Sequence, residues 1–360
     1  MEKGMNPLYI DMHSLVRLQA KEPSKEVQDV ILSTVGRFRK DAAQTPERLD
    51  IMVGRRDPED RSLDWISQNM DARNNFWITE YNGQTAIVLS YRGQPDVVVS
   101  LSDTIKIIYP ERAKITWNFY TALHFALNLS LCKQDSFLFH GALMSKDGMN
   151  VVLAGTSGAK KSMLVFTMLR EGWDYLSEEE FVLKDGIAHI YQTKVPLQDF
   201  HFDALPWLEG LAPKEVRDAR KSSLLRKRLR PLCQRRLPNY LFSAIKRFFD
   251  YLVWIETETL FPDVRIIEKA RPTHIVMLSP GPELRIRPVE KERCVREIAA
   301  VQHYNDMQTL LGMYDERYDY DYEGIISRNL GDQRFFKLNA PYPARPETIY
   351  KELDACLRQP

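Results

Sequence analysis

The stretch MNVVLAGTSGAKKSMLVFTMLREG occupies residues 149–172 and decides the fold. Its apolar start predicts a strand over Met149–Ala154, and the apolar residues of Lys160–Glu171 recur on one face of a helix. A loop with two glycines joins these elements. Such a loop between a buried strand and a helix is typical of a phosphate-binding site, because its backbone N–H groups face an anion and the helix adds its positive N-terminal dipole.

The loop matches the pattern G-x-x-x-x-G-K-[ST] at all but one of its defined positions. Gly155 takes the first position, Lys161 the lysine that contacts the terminal phosphates, and Ser162 the hydroxyl that binds Mg²⁺. Lys160 replaces the second glycine, which costs on the order of 1–2 kcal/mol if that position needs a positive φ. Its side chain must leave the loop, or else it adds a charge beside the phosphates. The candidate nucleotide-binding residues are Gly155, Thr156, Ser157, Gly158, Ala159, Lys160, Lys161 and Ser162.

Apolar runs on both sides of the loop predict further strands. We expect one strand over Ser136–Ser145, joined to Met149–Ala154 by a hairpin at Asp147-Gly148. Two short strands, Tyr175–Ser177 and Phe181–Leu183, should follow the helix.

These elements together resemble the HPr kinase/phosphorylase family. His140-Gly-Ala-Leu, Gly155–Ser162, Arg170-Glu-Gly172 and Tyr175-Leu-Ser-Glu-Glu179 are similar to that family's H-G-x-L strand, G-x-S-G-x-G-K-S loop and L-x-D-D element, at the same spacings. The resemblance extends over about Phe137–Asp185. It implies an α/β fold, an HPr-kinase-like P-loop core with a mixed central sheet. It also implies ATP and Mg²⁺ as cofactors and a homo-oligomer.

The resemblance also assigns roles to individual residues. Lys161 and the loop amides would hold the ATP phosphates, and His140 would assist proton movement. Glu178 and Glu179 stand where the family has two aspartates. The first would accept the proton of the acceptor hydroxyl, and the second would hold the metal together with Ser162.

The implied function is an ATP- and Mg²⁺-dependent kinase that phosphorylates a hydroxyl of a small molecule or of a serine in a protein or peptide. Lys160 and the two glutamates depart from the family pattern. A catalytically inactive, nucleotide-binding pseudokinase or scaffold therefore remains the alternative.

The rest of the chain predicts a two-part organisation. Residues 1–112 should form an N-terminal α/β region, and residues 113–360 the P-loop domain. The predicted helices are Lys25–Lys40, Leu63–Met70, Trp117–Leu131, Glu290–Gln302 and Pro346–Leu357. The other predicted strands are a small meander of Trp77–Tyr81, Thr85–Tyr91, Asp96–Leu101 and Thr104–Tyr109, and a core strand Thr273–Leu278 with Glu283–Arg287 as its neighbour.

A basic insertion interrupts the domain at about residues 213–260. Lys214–Arg247 contains twelve Lys or Arg residues and two acidic ones. It can form solvated helices that balance the acidic, tyrosine-rich surface segment Tyr314–Glu323. It can also bind an anionic partner, such as nucleic acid or a phosphorylated substrate. A third possibility is an anionic membrane surface, with aromatic anchors that include Trp254.

Composition excludes several classes of protein. The 360 residues are 44% hydrophobic with a formal net charge of +1, which favours a globular protein and indicates no particular partner. The four cysteines lack metal-ligand spacing. We expect no signal peptide, no transmembrane segment and a cytoplasmic location, because no apolar run reaches about 18 residues.

The phosphate-loop hypothesis makes a direct prediction. Lys161→Ala should lower the affinity for ATP at least tenfold, or by about 1.4 kcal/mol, because the main contact to the terminal phosphates is lost. Calorimetry on both proteins measures this change. A wild-type protein that binds no nucleotide would refute the hypothesis.

Overall fold

The structure is a computed structural model in which two units are distinguished. It describes residues 7–40, 49–56, 76–91, 94–110, 116–155, 160–221, 252–302, 305–341 and 344–359. The first unit comprises Met1–Leu138, Leu183–Asp185 and Gln302–Asn329, and the second comprises Phe139–Val182, Gly186–Val301 and Leu330–Pro360. The predicted helix Leu63–Met70 lies outside the described residues.

Runs of strands are interspersed with helices along the chain, which makes the protein α/β as expected. The strands are β1 (Leu8–Met12), β2 (Val16–Ala20), β3 (Arg39–Lys40), β4 (Ile51–Arg55), β5 (Phe76–Tyr81), β6 (Gln84–Tyr91), β7 (Gln94–Ser100), β8 (Ile105–Tyr109), β9 (Phe137–His140), β10 (Ala142–Lys146), β11 (Met149–Gly155), β12 (Asp174–Ser177), β13 (Glu180–Lys184), β14 (Ile187–Ile190), β15 (Lys194–Gln198), β16 (Leu252–Glu256), β17 (Lys269–Ala270), β18 (His274–Pro280), β19 (Arg285–Pro288) and β20 (Arg334–Ala340). The helices are α1 (Lys25–Val35), α2 (Thr116–Cys132), α3 (Lys161–Arg170), α4 (Asp199–Ala204), α5 (Leu208–Leu211), α6 (Thr257–Leu260), α7 (Lys291–Ala299), α8 (Asn305–Tyr314), α9 (Tyr322–Asn329) and α10 (Pro346–Leu357). Within the described ranges, no helix is long and apolar enough to cross a membrane.

The first unit contains an eight-stranded sheet in the order β3-β1-β2-β4-β8-β7-β6-β5. The predicted meander is confirmed, because β5 to β8 are antiparallel neighbours. The sheet is larger than expected, since β1, β2, β3 and β4 were not predicted from the sequence. β1 and β2 each alternate buried and half-buried residues. Their turn contains His13 and Ser14 at positive φ rather than a glycine, so the usual hairpin signal is absent.

The helix predicted over Lys25–Lys40 ends earlier than expected. Ser24 caps α1 by accepting a hydrogen bond from the Val27 amide, and the helix stops at Val35. A short 3₁₀ turn over Gly36–Phe38 follows, and β3 then pairs with β1. Pairing with the sheet edge satisfies these backbone groups better than a longer exposed helix would.

The sequence predicts a surface segment over Tyr314–Glu323, but part of this segment is buried. Tyr318 and Tyr322 are buried, and the Thr85 hydroxyl donates a hydrogen bond of 2.5 Å to the carboxylate of Asp315. The tyrosine rings supply apolar area that the first unit buries, while Asp319 and Asp321 stay at the surface.

The second unit contains a six-stranded sheet in the order β12-β10-β11-β18-β20-β19. β11, β18 and β20 are parallel, and the remaining pairs are antiparallel, so the sheet is mixed as predicted. Glu283–Arg287 was expected beside the core strand that became β18. Instead, β19 pairs with β20, which lies between them. This unit also contains the pair β15-β16 and most of a sheet in the order β17-β14-β13-β9.

Gly141 divides the strand that was predicted over Ser136–Ser145. β9 ends at His140 in the four-stranded sheet, and β10 begins at Ala142 in the six-stranded sheet. The following hairpin is confirmed, with Asp147 and Gly148 both at positive φ. The chain thus changes sheets at one residue, immediately after His140.

Gly141→Ala should destabilise the second unit. A Cβ at this position would lie 2.7 Å from Cε1 of Phe139 and 2.9 Å from the Leu153 carbonyl oxygen, so the backbone must shift. We expect a loss of about 1–3 kcal/mol, measured as a lower midpoint of thermal unfolding. Gly210→Ala is the control, because no atom lies within 4 Å of its added Cβ. Equal midpoints for the two variants would contradict this account.

Candidate functional site

The candidate site lies where β11 ends and α3 begins. β11 runs beside β10 and parallel to β18, and ends at Gly155. α3 starts at Lys161, so its unpaired N–H groups and positive dipole end lie at the carboxyl edge of the parallel strands. Ligands of α/β proteins bind at such edges. The predicted loop residues Thr156, Ser157, Gly158 and Ala159 lie outside the described residues.

Lys161 is held by the residues that follow β12. Its ammonium donates a hydrogen bond to the backbone carbonyl of Glu178. The same nitrogen lies 3.7 Å from Oε1 of Glu178 and 3.8 Å from Oε2 of Glu179. The lysine is therefore surrounded by oxygen atoms at the start of the helix, and its charge compensates part of theirs.

Ser162 contacts the buried glutamate of the pair. Its hydroxyl donates a hydrogen bond of 2.5 Å to Oε1 of Glu178. The Glu178 side chain is wholly buried, and its second oxygen, Oε2, has no hydrogen-bond partner among the described residues. A buried carboxylate oxygen without a donor is costly, which makes this atom a natural place for a cation.

A tight turn between β12 and β13 positions Glu178 and Glu179. The Ser177 hydroxyl closes the turn by donating to the carbonyl of Glu180. The Gly141 amide donates to the carbonyl of Glu179 at 2.9 Å. The change of sheets at Gly141 therefore also fixes the acidic turn next to His140.

Glu179 faces His140. Its Oε2 lies 3.6 Å from Nδ1 of the histidine, and its side chain is 27% exposed. Burial, and then the negative charge of Glu178, raise the pKa of Glu179 to about 8, although Lys161 opposes the shift. The carboxyl group is thus mostly protonated at neutral pH and remains within reach of solvent.

Lys160 adopts the left-handed conformation that the motif normally gives to glycine. Its φ is 67° and its ψ is 19°. The ammonium donates hydrogen bonds to the carbonyls of Pro341 and Ala344, each at 3.0 Å. The side chain is thus engaged by the segment that precedes α10.

The structure brings five of the predicted site residues together, but the hydroxyl of Ser162 contacts a different glutamate from the one expected. His140, Lys161, Ser162, Glu178 and Glu179 form one cluster. The sequence analysis assigned Ser162 and Glu179 to the metal, whereas Ser162 contacts Glu178.

Two further buried residues, which had no predicted role in the site, lie near this cluster. Glu180 is buried, although a third consecutive acid indicates exposure. Tyr175 is also buried, and burial followed by the Glu178 charge raises its pKa well above the usual value. Only the apolar character of the flanking strands hinted at either burial. Among the described residues, no group of three or more His, Cys, Asp or Glu side chains could hold a metal ion.

The described residues at the start of the basic segment include an arginine that forms ion pairs within the second unit. Arg220 is 9% exposed, and its guanidinium bonds Asp203 and Glu209 at 2.9 Å each and lies over the ring of Phe202. Its charge is therefore compensated within the unit. Residues 222–251 lie outside the described part of the chain.

The comparisons with known proteins include a weak structural likeness. The HPr(Ser) kinase/phosphatase from Coxiella burnetii is 11% identical, with 61% of this chain and 90% of that protein covered, at a TM-score of 0.28. This is a distant relation at most. No protein-family profile matches the sequence. No curated protein matches it either.

The raised pKa of Glu179 predicts a pH-dependent stability. The folded state retains a proton that the unfolded chain releases above the ordinary pKa of 4.5. Ionisation therefore costs stability progressively as the pH rises from about 4.5 to about 8. The glutamine of Glu179→Gln cannot ionise. The unfolding midpoint of this variant minus that of the wild-type protein should therefore increase as the pH rises over this range.

Thermal unfolding at pH 5.5 and pH 8.5 measures this difference. Glu171→Gln serves as the control, because Glu171 is exposed at the far end of α3. A midpoint difference for Glu179→Gln that does not vary with pH would contradict the raised pKa.

Proposed function

We propose that this chain binds ATP with Mg²⁺ at the start of α3 and transfers a phosphoryl group to a hydroxyl, either of a small molecule or of a serine in a protein or peptide. The hydrogen bond from Ser162 to the buried Glu178, beside Lys161, is the observation that carries the proposal. The P-loop core also belongs to the proposal, because residues 156–159 of the loop lie outside the described part of the chain.

The residues present fit a magnesium ion. Mg²⁺ is bound by oxygen ligands, usually one or two carboxylates together with water and phosphate, so a large cluster is not needed. Ser162 and Glu178 would hold the ion, and the unpartnered Oε2 of Glu178 supplies an unused acceptor. When bound, Mg²⁺ neutralises phosphate charge. This assignment replaces Glu179 with Glu178 as the partner of Ser162.

Glu179 is the better candidate for the proton acceptor. Its side chain is partly exposed, so an acceptor hydroxyl can approach it, whereas Glu178 is wholly buried. A general base works best when its pKa lies near the working pH, and the pKa of Glu179 is raised to about 8. His140 orients the carboxylate, and Lys161 is available to contact the phosphates.

The alternative is a pseudokinase that binds nucleotide without transfer. Two observations favour it: the Lys161 ammonium is already bonded to the Glu178 carbonyl, and Lys160 stands where the motif has glycine. A homo-oligomer, and a polyanion site in Lys214–Arg247, are further proposals that the described residues do not address.

The proposal assigns the metal to Glu178 and the proton transfer to Glu179, the reverse of the roles that the resemblance implies. Separate measurements of ATP binding and of turnover test this exchange. Ser162→Ala and Glu178→Gln should remove the gain in ATP affinity that Mg²⁺ provides. Glu179→Gln should keep that gain but lower phosphoryl transfer by roughly 10²–10⁴-fold, the usual contribution of a positioned base. Calorimetry with and without Mg²⁺, and ATP consumption with a panel of hydroxyl acceptors, provide the two measurements.

Glu171→Gln is the matched control and should change neither measurement. If Glu179→Gln alone abolishes the Mg²⁺ effect, the original assignment of the metal to Glu179 is right. If the protein binds ATP but no acceptor supports turnover and Glu179→Gln has no effect, the pseudokinase is right.

A further inference from the structure

Lys160 occupies a backbone conformation that needs an explanation. It is the N-cap residue of α3, in the left-handed region, and its side chain makes no capping hydrogen bond. For a residue with a Cβ, this conformation costs about 1–2 kcal/mol, which glycine would avoid. A compensating interaction must therefore come from the lysine side chain.

That interaction is a pair of charge-assisted hydrogen bonds. The ammonium donates to the carbonyls of Pro341 and Ala344, both at 3.0 Å. Bonds from a charged donor are roughly twice as strong as neutral ones. Both acceptors belong to the connection between β20 and α10, so the lysine joins two segments that are far apart in sequence.

The connection leads directly into a helix that packs on α3. α10 starts at Pro346, and its N-cap Arg345 makes no side-chain capping bond. Leu164 of α3 and Ile349 of α10 line a shallow cleft together with Lys160. Beyond the other end of α3, the indole of Trp173 donates to the hydroxyl of Tyr350 at 3.3 Å. Lys160 is thus the polar attachment of α10 at the end where the site lies.

The geometry points to Lys160 as a positioning residue that ties the first turn of α3 to the β20–α10 connection and thereby holds Lys161 and Ser162 opposite Glu178. Its effect on nucleotide rests on the proposed function. In this role Lys160 acts through its neighbours, because its ammonium donates to the carbonyls of Pro341 and Ala344.

Hydrogen exchange without nucleotide tests the attachment itself. The amides of Thr348 and Ile349 bond to the Arg345 carbonyl, and the amide of Leu164 bonds to the Lys160 carbonyl. Lys160→Met should raise the exchange rates of these three amides about tenfold, while Lys160→Arg restores much of the protection. Lys146→Met is the control, because Lys146 donates to the Glu171 carbonyl at the opposite end of α3. It should leave these amides unchanged.

ATP affinity with Mg²⁺ and thermal unfolding test the positioning role. Lys160→Gly loses the two bonds but relieves the left-handed strain, so the two effects offset each other and its unfolding midpoint should change little. Its ATP affinity should nevertheless fall about tenfold, as should that of Lys160→Met. A merely structural role would move stability and affinity together.

Three results would overturn the inference. Unchanged exchange in Lys160→Met would remove the attachment, whatever happens to nucleotide. Tighter ATP binding by Lys160→Gly would mean that the lysine obstructs the loop. A wild-type protein that binds no ATP would refute the proposed function and the positioning role, and increased exchange in Lys160→Met would then identify a purely structural bond.

Discussion

The buried carboxylate of Glu178 is the group on which the arrangement of the second unit depends. A charge removed from water destabilises a fold by several kcal/mol unless its neighbours compensate for it. Here the compensation comes from two consecutive residues at the start of α3, the Ser162 hydroxyl and the Lys161 ammonium. The helix cannot shift along the sheet without exposing or isolating this carboxylate, so the acidic turn and the end of β11 keep a fixed separation.

The same neighbourhood has more negative charge than one lysine can neutralise. Glu178, Glu179 and Glu180 follow one another, and burial, together with the negative charges of its two neighbours, raises the pKa of Glu179 to about 8. A divalent cation beside Glu178 would favour release of that proton, since a positive charge lowers the pKa of a nearby carboxyl. In the proposed function, metal binding would thus ionise the residue that has to act as the base.

The sequence predicts the elements around the loop because their signals are local. The apolar strand that became β11, the one-sided helix that became α3 and the turn at Asp147-Gly148 each depend on adjacent residues. Other features depend on contacts that form only in the folded chain. The break at Gly141 follows from the ring of Phe139 and the carbonyl of Leu153, which the pattern of apolar residues does not reveal. Glu178 and Glu179 lie in a turn between two strands, and the sequence does not show which of the two carboxylates would meet Ser162.

The left-handed backbone at Lys160 has an evolutionary consequence. The Lys160 ammonium donates to the carbonyls of Pro341 and Ala344, so a change in either segment alters the surroundings of the other. We expect the residue at position 160 to covary with the length and conformation of the connection between β20 and α10, although about half of the chain separates the two segments.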